Sequence, residues 1–269
     1  MRPIPVAFHL GPLVVHTYGI GLALTFWFGY RYLARRLRRA GYPDAWLTGT
    51  FVWIVVSAIV GARVLHVLAN LAEYRADPLT VFAVWQGGLS SFGGLAAAIP
   101  VGFLSARRRC PGLRGLVAAD LVTPVLVASW AVGRLLGPQL MVAGGGKATS
   151  AWFGMWYAGE AGRRLPVPVF QAIECTTIYL LLIALEHAAR GRGGLPRGVV
   201  TGIGVGLWGL SRTLDELAWL PPDPGSRPIE VLGIVLGVVG LAAAFVALAR
   251  ARRRVPGPAR RSLQSGSAP

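Results

Sequence analysis

The chain has 269 residues, of which 54% are hydrophobic and 14% are charged, yet its formal net charge is +16. A typical soluble domain has about 25% charged residues, so this composition argues against a soluble globular enzyme. It also argues against a disordered basic protein, because such chains lack this much apolar sequence. In an apolar chain, a basic excess commonly reflects arginines in loops that stay in the cytoplasm, so their placement must be examined.

Seven apolar segments are long enough to be membrane-spanning helices. A hydrocarbon core about 30 Å thick needs about 20 apolar residues per helix. The segments are 13–33, 46–67, 89–106, 116–136, 168–188, 198–219 and 229–250. The sixth is rich in glycine, which lets neighbouring helices approach closely in lipid. The sequence therefore predicts an all-α, polytopic integral membrane domain with seven transmembrane helices over residues 1–250.

The basic residues orient these helices. Eighteen of the 27 lysines and arginines follow the first, third, fifth and seventh segments, whereas six lie near the opposite ends. The positive-inside rule then places the N-terminus outside and the C-terminus in the cytoplasm, as an odd number of spans requires. Outer loops fall near 68–88 and 137–167. The basic segment 251–269, rich in proline, glycine and serine, is predicted to be a disordered cytoplasmic tail.

The remaining three arginines, Arg63, Arg134 and Arg212, lie inside the second, fourth and sixth spans. A charge at a helix centre costs roughly 2.5–3.5 kcal/mol on insertion scales, so each needs a polar partner or a path to water. At 1.5 Å per residue, all three lie roughly 21–27 Å from the cytoplasmic face, near the outer headgroups. Each could snorkel to that interface. Three arginines at one depth favour a shared anionic ligand such as a lipid phosphate.

The outer segments carry three further patterns. Gly-Gly-Gly-Lys at 144–147 could form a backbone nest for an anion, although a flexible turn is the commoner role of such a run. The segment DPLTVFAVW at 77–85 predicts a short amphipathic helix on the membrane surface. Aromatic residues typical of an interfacial anchor stand at Trp152, Phe153, Trp156 and Tyr157.

Other polar side chains are predicted at the same outer depth. Arg212 and Glu216 are four residues apart in RTLDE, so they share a helix face, where an ion pair within the helix would lower the cost of burial. Glu174, early in the fifth span, would either pair with an arginine or act as an acid or base. His16 and Tyr18 open the first span. A structural role at the interface is the alternative for both.

Several segments, in this order, are similar to one family. They are PVAFHLGPLVVHTYGIGLAL with Tyr18, GARVLHVL with Arg63, ADPLTVFAVWQGGLSSFGGLAAA with Gly87, Gly88, Gly93 and Gly94, VGRLLG with Arg134, GKATSAWFGM, PVPVFQAIE with Glu174, and LWGLSRTLDE with Arg212 and Glu216. Together they resemble the prolipoprotein diacylglyceryl transferases, seven-span enzymes of the bacterial inner membrane. The resemblance covers about residues 4–217.

The resemblance implies a transferase of lipoprotein biosynthesis. It would move the diacylglyceryl group of phosphatidylglycerol to the lipobox cysteine thiol of a prolipoprotein, forming a thioether and releasing glycerol phosphate. Its partners would be phosphatidylglycerol, the prolipoprotein signal peptide and the bilayer, with no nucleic acid, cofactor or metal.

The same resemblance implies residue roles. Arg134 and Arg212 would bind the lipid phosphate, where charge develops as it departs, with Arg63 behind them. Glu216 would orient Arg212. The paired glycines would form a lipid-facing segment: Gly87, Gly88, Gly93 and Gly94. The base that activates the thiol stays open among His16, Tyr18, His66 and Glu174.

The chain departs from the family pattern in three places, one of which is PVPVFQAIE, where the family tyrosine before Glu174 is missing. Phe92 stands where many members have histidine, and LLGPQLMVAGGG after Gly133-Arg134 has neither the asparagines nor the glutamate of the family signature. These changes motivate an alternative, a non-catalytic or altered paralogue that binds anionic phospholipid or a lipoprotein precursor. A second copy with the full signature in the same genome would favour that alternative.

Overall fold

The computed structural model describes residues 7–10, 13–84, 88–113, 115–136, 144–222 and 227–253. Three predicted features lie outside them: Gly87, the first part of the second outer loop at 137–143, and the basic tail from 254 onward. Within the described residues, seven helices have between 16 and 27 residues each. The chain is therefore mostly helical, as predicted.

Each long helix coincides with one predicted apolar segment. In chain order the helices are α1 (Thr17–Arg39), α2 (Ala45–Ala69), α3 (Leu71–Ala76), α4 (Ser91–Arg109), α5 (Leu116–Leu136), α6 (Val167–Ala189), α7 (Val199–Leu214) and α8 (Arg227–Arg253). The 3-10 helix Pro78–Phe82 follows α3. A π-helical turn, Asp215–Trp219, continues α7 and is called the π-turn below.

Four of these helices, α2, α5, α6 and α8, are long and apolar enough to cross a membrane. Of the other long helices, α1 and α4 each have three arginines in the last turn, and α7 has 16 residues before the π-turn. The helical class with membrane-spanning segments is thus confirmed. The number of seven spans and the direction of the termini stay predictions.

The predicted start of the first span is wrong. Residues 13–16 form a strand, β2 (Leu13–His16), which pairs antiparallel with β1 (Ala7–Leu10), and α1 begins only at Thr17. The β-branched Val14 and Val15 favour an extended backbone. Hydrophobicity alone did not distinguish this strand from the helix that follows it.

Glycines bring α7 and α8 into close contact. A methyl group on Gly202 of α7 would lie 2.6 Å from the carbonyl oxygen of Gly240 in α8, and one on Gly209 would lie 2.6 Å from that of Gly233. These positions repeat along one face of each helix, so the two backbones touch over several turns. The prediction that the sixth span admits a close neighbour is confirmed, and small residues are the reason.

Replacing Gly240 with valine is expected to destabilise the protein. A side chain there would meet the carbonyl oxygen of Gly202 and the backbone of Gly206, both within 2.7 Å, and helix backbones cannot move aside cheaply. Overpacking of this kind typically costs 1–3 kcal/mol. Thermal unfolding in detergent should show a lower midpoint than for the control Ala243→Val, which alters an exposed position of α8. Equal midpoints would contradict the packing role.

Polar contacts fix the arginine-rich ends of the helices. The Asp120 carboxylate of α5 accepts hydrogen bonds from the backbone amides of Gly198 (2.6 Å) and Thr201 (2.8 Å), and so caps the start of α7. Arg36 of α1 donates two bonds to Glu186 of α6, at 3.0 and 2.6 Å. These contacts link α5 to α7 and α1 to α6 at their arginine-rich ends. The predicted site lies at the opposite ends of α5, α6 and α7.

Candidate functional site

Arg134 and Arg212 come together where α5 and α7 end and α6 begins. Arg134 is in the last turn of α5 and Arg212 in the last turn of α7. Both guanidinium groups act electrostatically on the same two residues, Asp215 of the π-turn and Cys175 of α6. The structure therefore brings together two of the three arginines that the sequence placed at one depth.

Two carboxylates of the next turn hold Arg212. Its Nη1 donates to Asp215 Oδ2 at 2.9 Å and its Nη2 to Glu216 Oε1 at 2.6 Å. Arg212 is buried and Asp215 has no exposed surface. The predicted pairing of Arg212 with Glu216 on one helix face is confirmed, and it is an ion pair within one continuous helical segment.

Asp215 and Gln171 are functional candidates that the sequence reasoning did not assign. Gln171, buried in α6, donates from Nε2 to the same Asp215 oxygen at 2.8 Å. The fixed Asp215 in turn fixes Arg212. The spacing of three residues between Arg212 and Asp215 signals an ion pair, but Gln171 is 44 residues away and only the folded chain brings it close.

Glu174 lies one turn after Gln171 and borders the same cluster. It interacts electrostatically with Asp215 and Arg212, and the side chains of Ser211 and Trp219 are beside it. Its Oε2 is buried and accepts no hydrogen bond from the described residues. Glu174 is thus placed next to the arginines, as predicted, while its choice between pairing and acid–base chemistry stays a prediction.

A series of aromatic side chains in contact with one another packs beside Arg134. The guanidinium carbon lies 5.2 Å from the centre of the Trp130 ring, a distance suited to cation–π attraction. Trp130 meets Trp208 edge to face at 5.1 Å, and Trp208 meets Phe92 at 6.0 Å. Phe92 therefore packs with the aromatic side chains that adjoin Arg134.

Arg63 contacts a different part of the molecule. Its Nε donates to the Val81 carbonyl oxygen at 2.8 Å, its Nη1 to that of Gly88 at 3.1 Å, and its Nη2 to that of Thr80. The Tyr74 ring covers its guanidinium at 5.1 Å. These contacts tie α2 to the 3-10 helix and to the start of α4. They favour a supporting role for Arg63, whereas its binding of lipid phosphate stays a prediction.

The glycine segment packs against α2. Gly88 has a φ of +68°, and a methyl group there would lie 2.6 Å from Arg63 Nη1 and 2.7 Å from His66 Nε2. Gly93 is buried against the backbone of Gly61, and Gly94 lies against Ala58. The prediction that this segment faces lipid is therefore wrong for Gly93, because the close approach of α4 to α2 occupies that surface.

The loop between α5 and α6, which is predicted to face outward, forms a small sheet. It contains β3 (Met155–Trp156) and β4 (Arg163–Arg164), which pair antiparallel. An anion nest at 144–147, the less favoured of the two roles considered for this run, is excluded for two of its amides, because the Gly146 amide donates to the Leu165 carbonyl and the Lys147 amide to that of Trp219, both at 2.9 Å. These two N–H groups are therefore not available to bind an anion.

The aromatic residues of this loop divide into two groups. Trp152 is 89% exposed, and Phe153 and Trp156 are also exposed, as interfacial anchors would be. Tyr157 is buried, and burial raises its pKa to about 12, so its hydroxyl stays neutral at physiological pH. The anchor stays a prediction for the first three residues and is wrong for Tyr157.

His16 and Tyr18 lie at the junction of β2 and α1. His16 pairs with Ala7 in the hairpin, and Tyr18 is in the first turn of α1. Their roles as base or ligand stay predictions. Among the described residues, no group of three histidine, cysteine or acidic side chains is placed to hold a metal ion.

The amino-acid sequence of the chain is similar to one family of known proteins. The family model for prolipoprotein diacylglyceryl transferase matches residues 5–250. The phosphatidylglycerol–prolipoprotein diacylglyceryl transferase of Methylocella silvestris is 32% identical over 94% of this chain and 96% of its own length. Proteins of the same name from Hydrogenovibrio crunogenus and Geobacter sulfurreducens are 30% and 32% identical, over 82% and 79% of this chain and 82% and 80% of their own lengths.

Proposed function

The chain belongs to the prolipoprotein diacylglyceryl transferase family, and we propose that it transfers the diacylglyceryl group of phosphatidylglycerol to the lipobox cysteine of prolipoproteins. The proposed setting is the bacterial cytoplasmic membrane. All seven long helices cross it, with the N-terminus outside and the C-terminus inside. The arginine-rich helix ends then face the cytoplasm, and the cluster of Arg134 and Arg212 lies at the outer leaflet.

The reaction replaces a carbon–oxygen bond with a carbon–sulfur bond. The S–H bond of the cysteine breaks and its proton passes to a base, and the thiolate sulfur attacks the glyceryl carbon that carries the phosphate. A C–S bond forms, the C–O bond to the phosphate breaks with its electron pair, and glycerol phosphate leaves. Negative charge grows on the departing phosphate, so cationic donors fixed at that point lower the barrier. Arg134 and Arg212 are assigned this role.

Arg212 is suited to the task because it is fixed before substrate arrives. Asp215 and Glu216 hold its guanidinium from one side, and Gln171 holds Asp215. A preorganised donor needs no reorientation as charge develops, which is the main advantage of such a site over water. Glu216 and Asp215 are thus positioning residues, and Gln171 supports them.

The net charge of the cluster indicates that one of its three carboxylates is protonated. Two arginines and three ionised carboxylates, Glu174, Asp215 and Glu216, would together carry one negative charge, which repels a phosphate. A phosphate is bound more easily when one carboxylate is protonated. Glu174 is assigned this proton, because Asp215 and Glu216 are the two carboxylates that form ion pairs with Arg212.

The observation that carries this function is the convergence of Arg134 and Arg212 on Asp215 within a chain that matches the family model almost throughout. The similarity to proteins named phosphatidylglycerol–prolipoprotein diacylglyceryl transferase favours transfer over the non-catalytic alternative. The aromatic packing of Phe92 provides a structural use for the residue that replaces histidine.

Reconstitution tests the function. The purified full chain is placed in liposomes containing phosphatidylglycerol and incubated with a lipobox peptide, and the peptide is weighed by mass spectrometry. We expect a gain of one diacylglyceryl group on the cysteine peptide and none on a peptide with serine in its place. No gain on the cysteine peptide, while a relative of known activity modifies it, would refute the proposal.

A further inference from the structure

Lys147 makes three contacts with the end of the π-turn. Its ammonium Nζ donates to the carbonyl oxygens of Leu217 (3.2 Å) and Ala218 (2.9 Å), and its backbone amide donates to that of Trp219 (2.9 Å). These are three consecutive carbonyls at a helix C-terminus, where no further turn supplies donors and where a cation is favoured by the helix dipole.

The segment that carries Lys147 is itself fixed to the loop sheet. The Lys147 carbonyl accepts from the Leu165 amide at 3.0 Å, and the Gly146 amide donates to the Leu165 carbonyl at 2.9 Å. A methyl group on Gly146 would lie 2.5 Å from the Trp219 carbonyl oxygen and 2.6 Å from Val167 Cγ2. Only glycine allows this approach, so the loop and the π-turn are joined by backbone fit as well as by the ammonium.

The π-turn connects these contacts of Lys147, called the latch below, to the site. It begins with Asp215 and Glu216, the two carboxylates that hold Arg212, and its closing bond runs from the Leu220 amide to the Asp215 carbonyl at 2.9 Å. A π-helical turn is rare and occurs mostly as a single turn within an α-helix, frequently at a functional site. Lys147 supports this turn from the loop, at the opposite end of the same five residues.

We propose that Lys147 is a positioning residue for the transfer reaction: by binding the Leu217 and Ala218 carbonyls it keeps the π-turn wound, and thereby keeps Asp215 and Glu216 on Arg212. This inference rests on the proposed function. The Gly-Gly-Gly-Lys run at 144–147 then serves to hold the π-turn and not to bind an anion. Because small displacements of a positioned group can reduce a rate by orders of magnitude, loss of the latch acts on turnover rather than on folding alone.

The test compares Lys147→Met with Lys147→Arg in the full chain. Methionine has a similar length but donates no hydrogen bond, whereas arginine retains both charge and donors. We expect kcat to fall about tenfold in Lys147→Met, with KM for the lipobox peptide unchanged within about twofold, and to recover largely in Lys147→Arg. Arg163→Met, which removes an exposed cation from the same loop, is the matched control and should leave kcat unchanged.

Amide hydrogen exchange provides a readout that needs no activity. Lys147→Met should accelerate exchange in peptides covering 214–220 and leave α8 unaffected, and Arg163→Met should change neither. Unchanged exchange would refute the latch, and faster exchange with unchanged kcat would refute its role in positioning. If the wild-type chain transfers nothing, the proposed function fails, whereas the exchange data still decide whether Lys147 holds the π-turn.

Discussion

Arg134→Ala is expected to abolish diacylglyceryl transfer while leaving the protein folded. Removing one preorganised donor from a site of developing negative charge typically lowers kcat by about 10²–10³-fold. Arg134 sits in the last turn of α5, half-buried, so its removal costs little packing. Its stacking on Trp130 is worth about 0.5–2 kcal/mol. The measurement is initial-rate transfer in phosphatidylglycerol liposomes, with unfolding followed in parallel.

Two comparisons make this result specific. Arg163→Ala removes a cation from the outer loop and should retain wild-type rates, which separates the site from general surface charge. Arg134→Lys keeps the charge but not the planar fork that binds phosphate with two bonds, so we expect it to recover only part of the rate. Near-wild-type transfer by Arg134→Ala would remove Arg134 from the phosphate role.

Arg212→Ala is expected to lose both activity and stability, unlike Arg134→Ala. Its removal leaves Asp215, which has no exposed surface, without a cationic partner on its own helical segment and leaves Glu216 unpaired. Breaking a buried ion pair by deleting one member typically costs 3–5 kcal/mol, because the remaining charge is not compensated. Thermal unfolding should therefore show a clearly lower midpoint for Arg212→Ala than for Arg134→Ala.

A combined variant separates the two losses. Adding Asp215→Asn and Glu216→Gln to Arg212→Ala removes the orphaned charges and keeps similar side-chain volumes. We expect the unfolding midpoint to recover while transfer stays absent, because the phosphate ligand is still missing. Recovery of transfer in this triple variant would exclude Arg212 from the chemistry, and no recovery of stability would show that the carboxylates are not the source of the damage.

Part of this site was readable from the sequence because it depends on local spacing. Arg212 and Glu216 are one helical turn apart, so their pairing follows from the helix period alone. The proximity of Arg134 and Arg212 was also expected, because counting residues along helices whose starts are marked by apolar composition puts both arginines at one predicted depth. The long helices themselves were predictable, because about 20 consecutive apolar residues are a strong signal.

The remainder depends on contacts between distant residues. Lys147 and its partner Leu217 in the π-turn are 70 residues apart in the sequence, and no local pattern around Lys147 predicts this contact. Gly93 meets Gly61 because two helices cross there, which composition does not specify. Arg63 was grouped with the other arginines by depth, but depth carries no direction around the helix axis. Its side chain instead reaches the backbone carbonyls of residues 80, 81 and 88.

We propose that the phosphate departs at Arg134 and Arg212 as the thioether forms. The most direct measurement uses phosphatidylglycerol labelled in its glycerol headgroup, with the lipobox peptide, and quantifies released glycerol phosphate and modified peptide in one sample. We expect equal amounts of the two products for the wild-type chain and a loss of both by about 10²–10³-fold for Arg134→Ala. Modified peptide without glycerol phosphate, or equal product from the variant, would contradict this proposal.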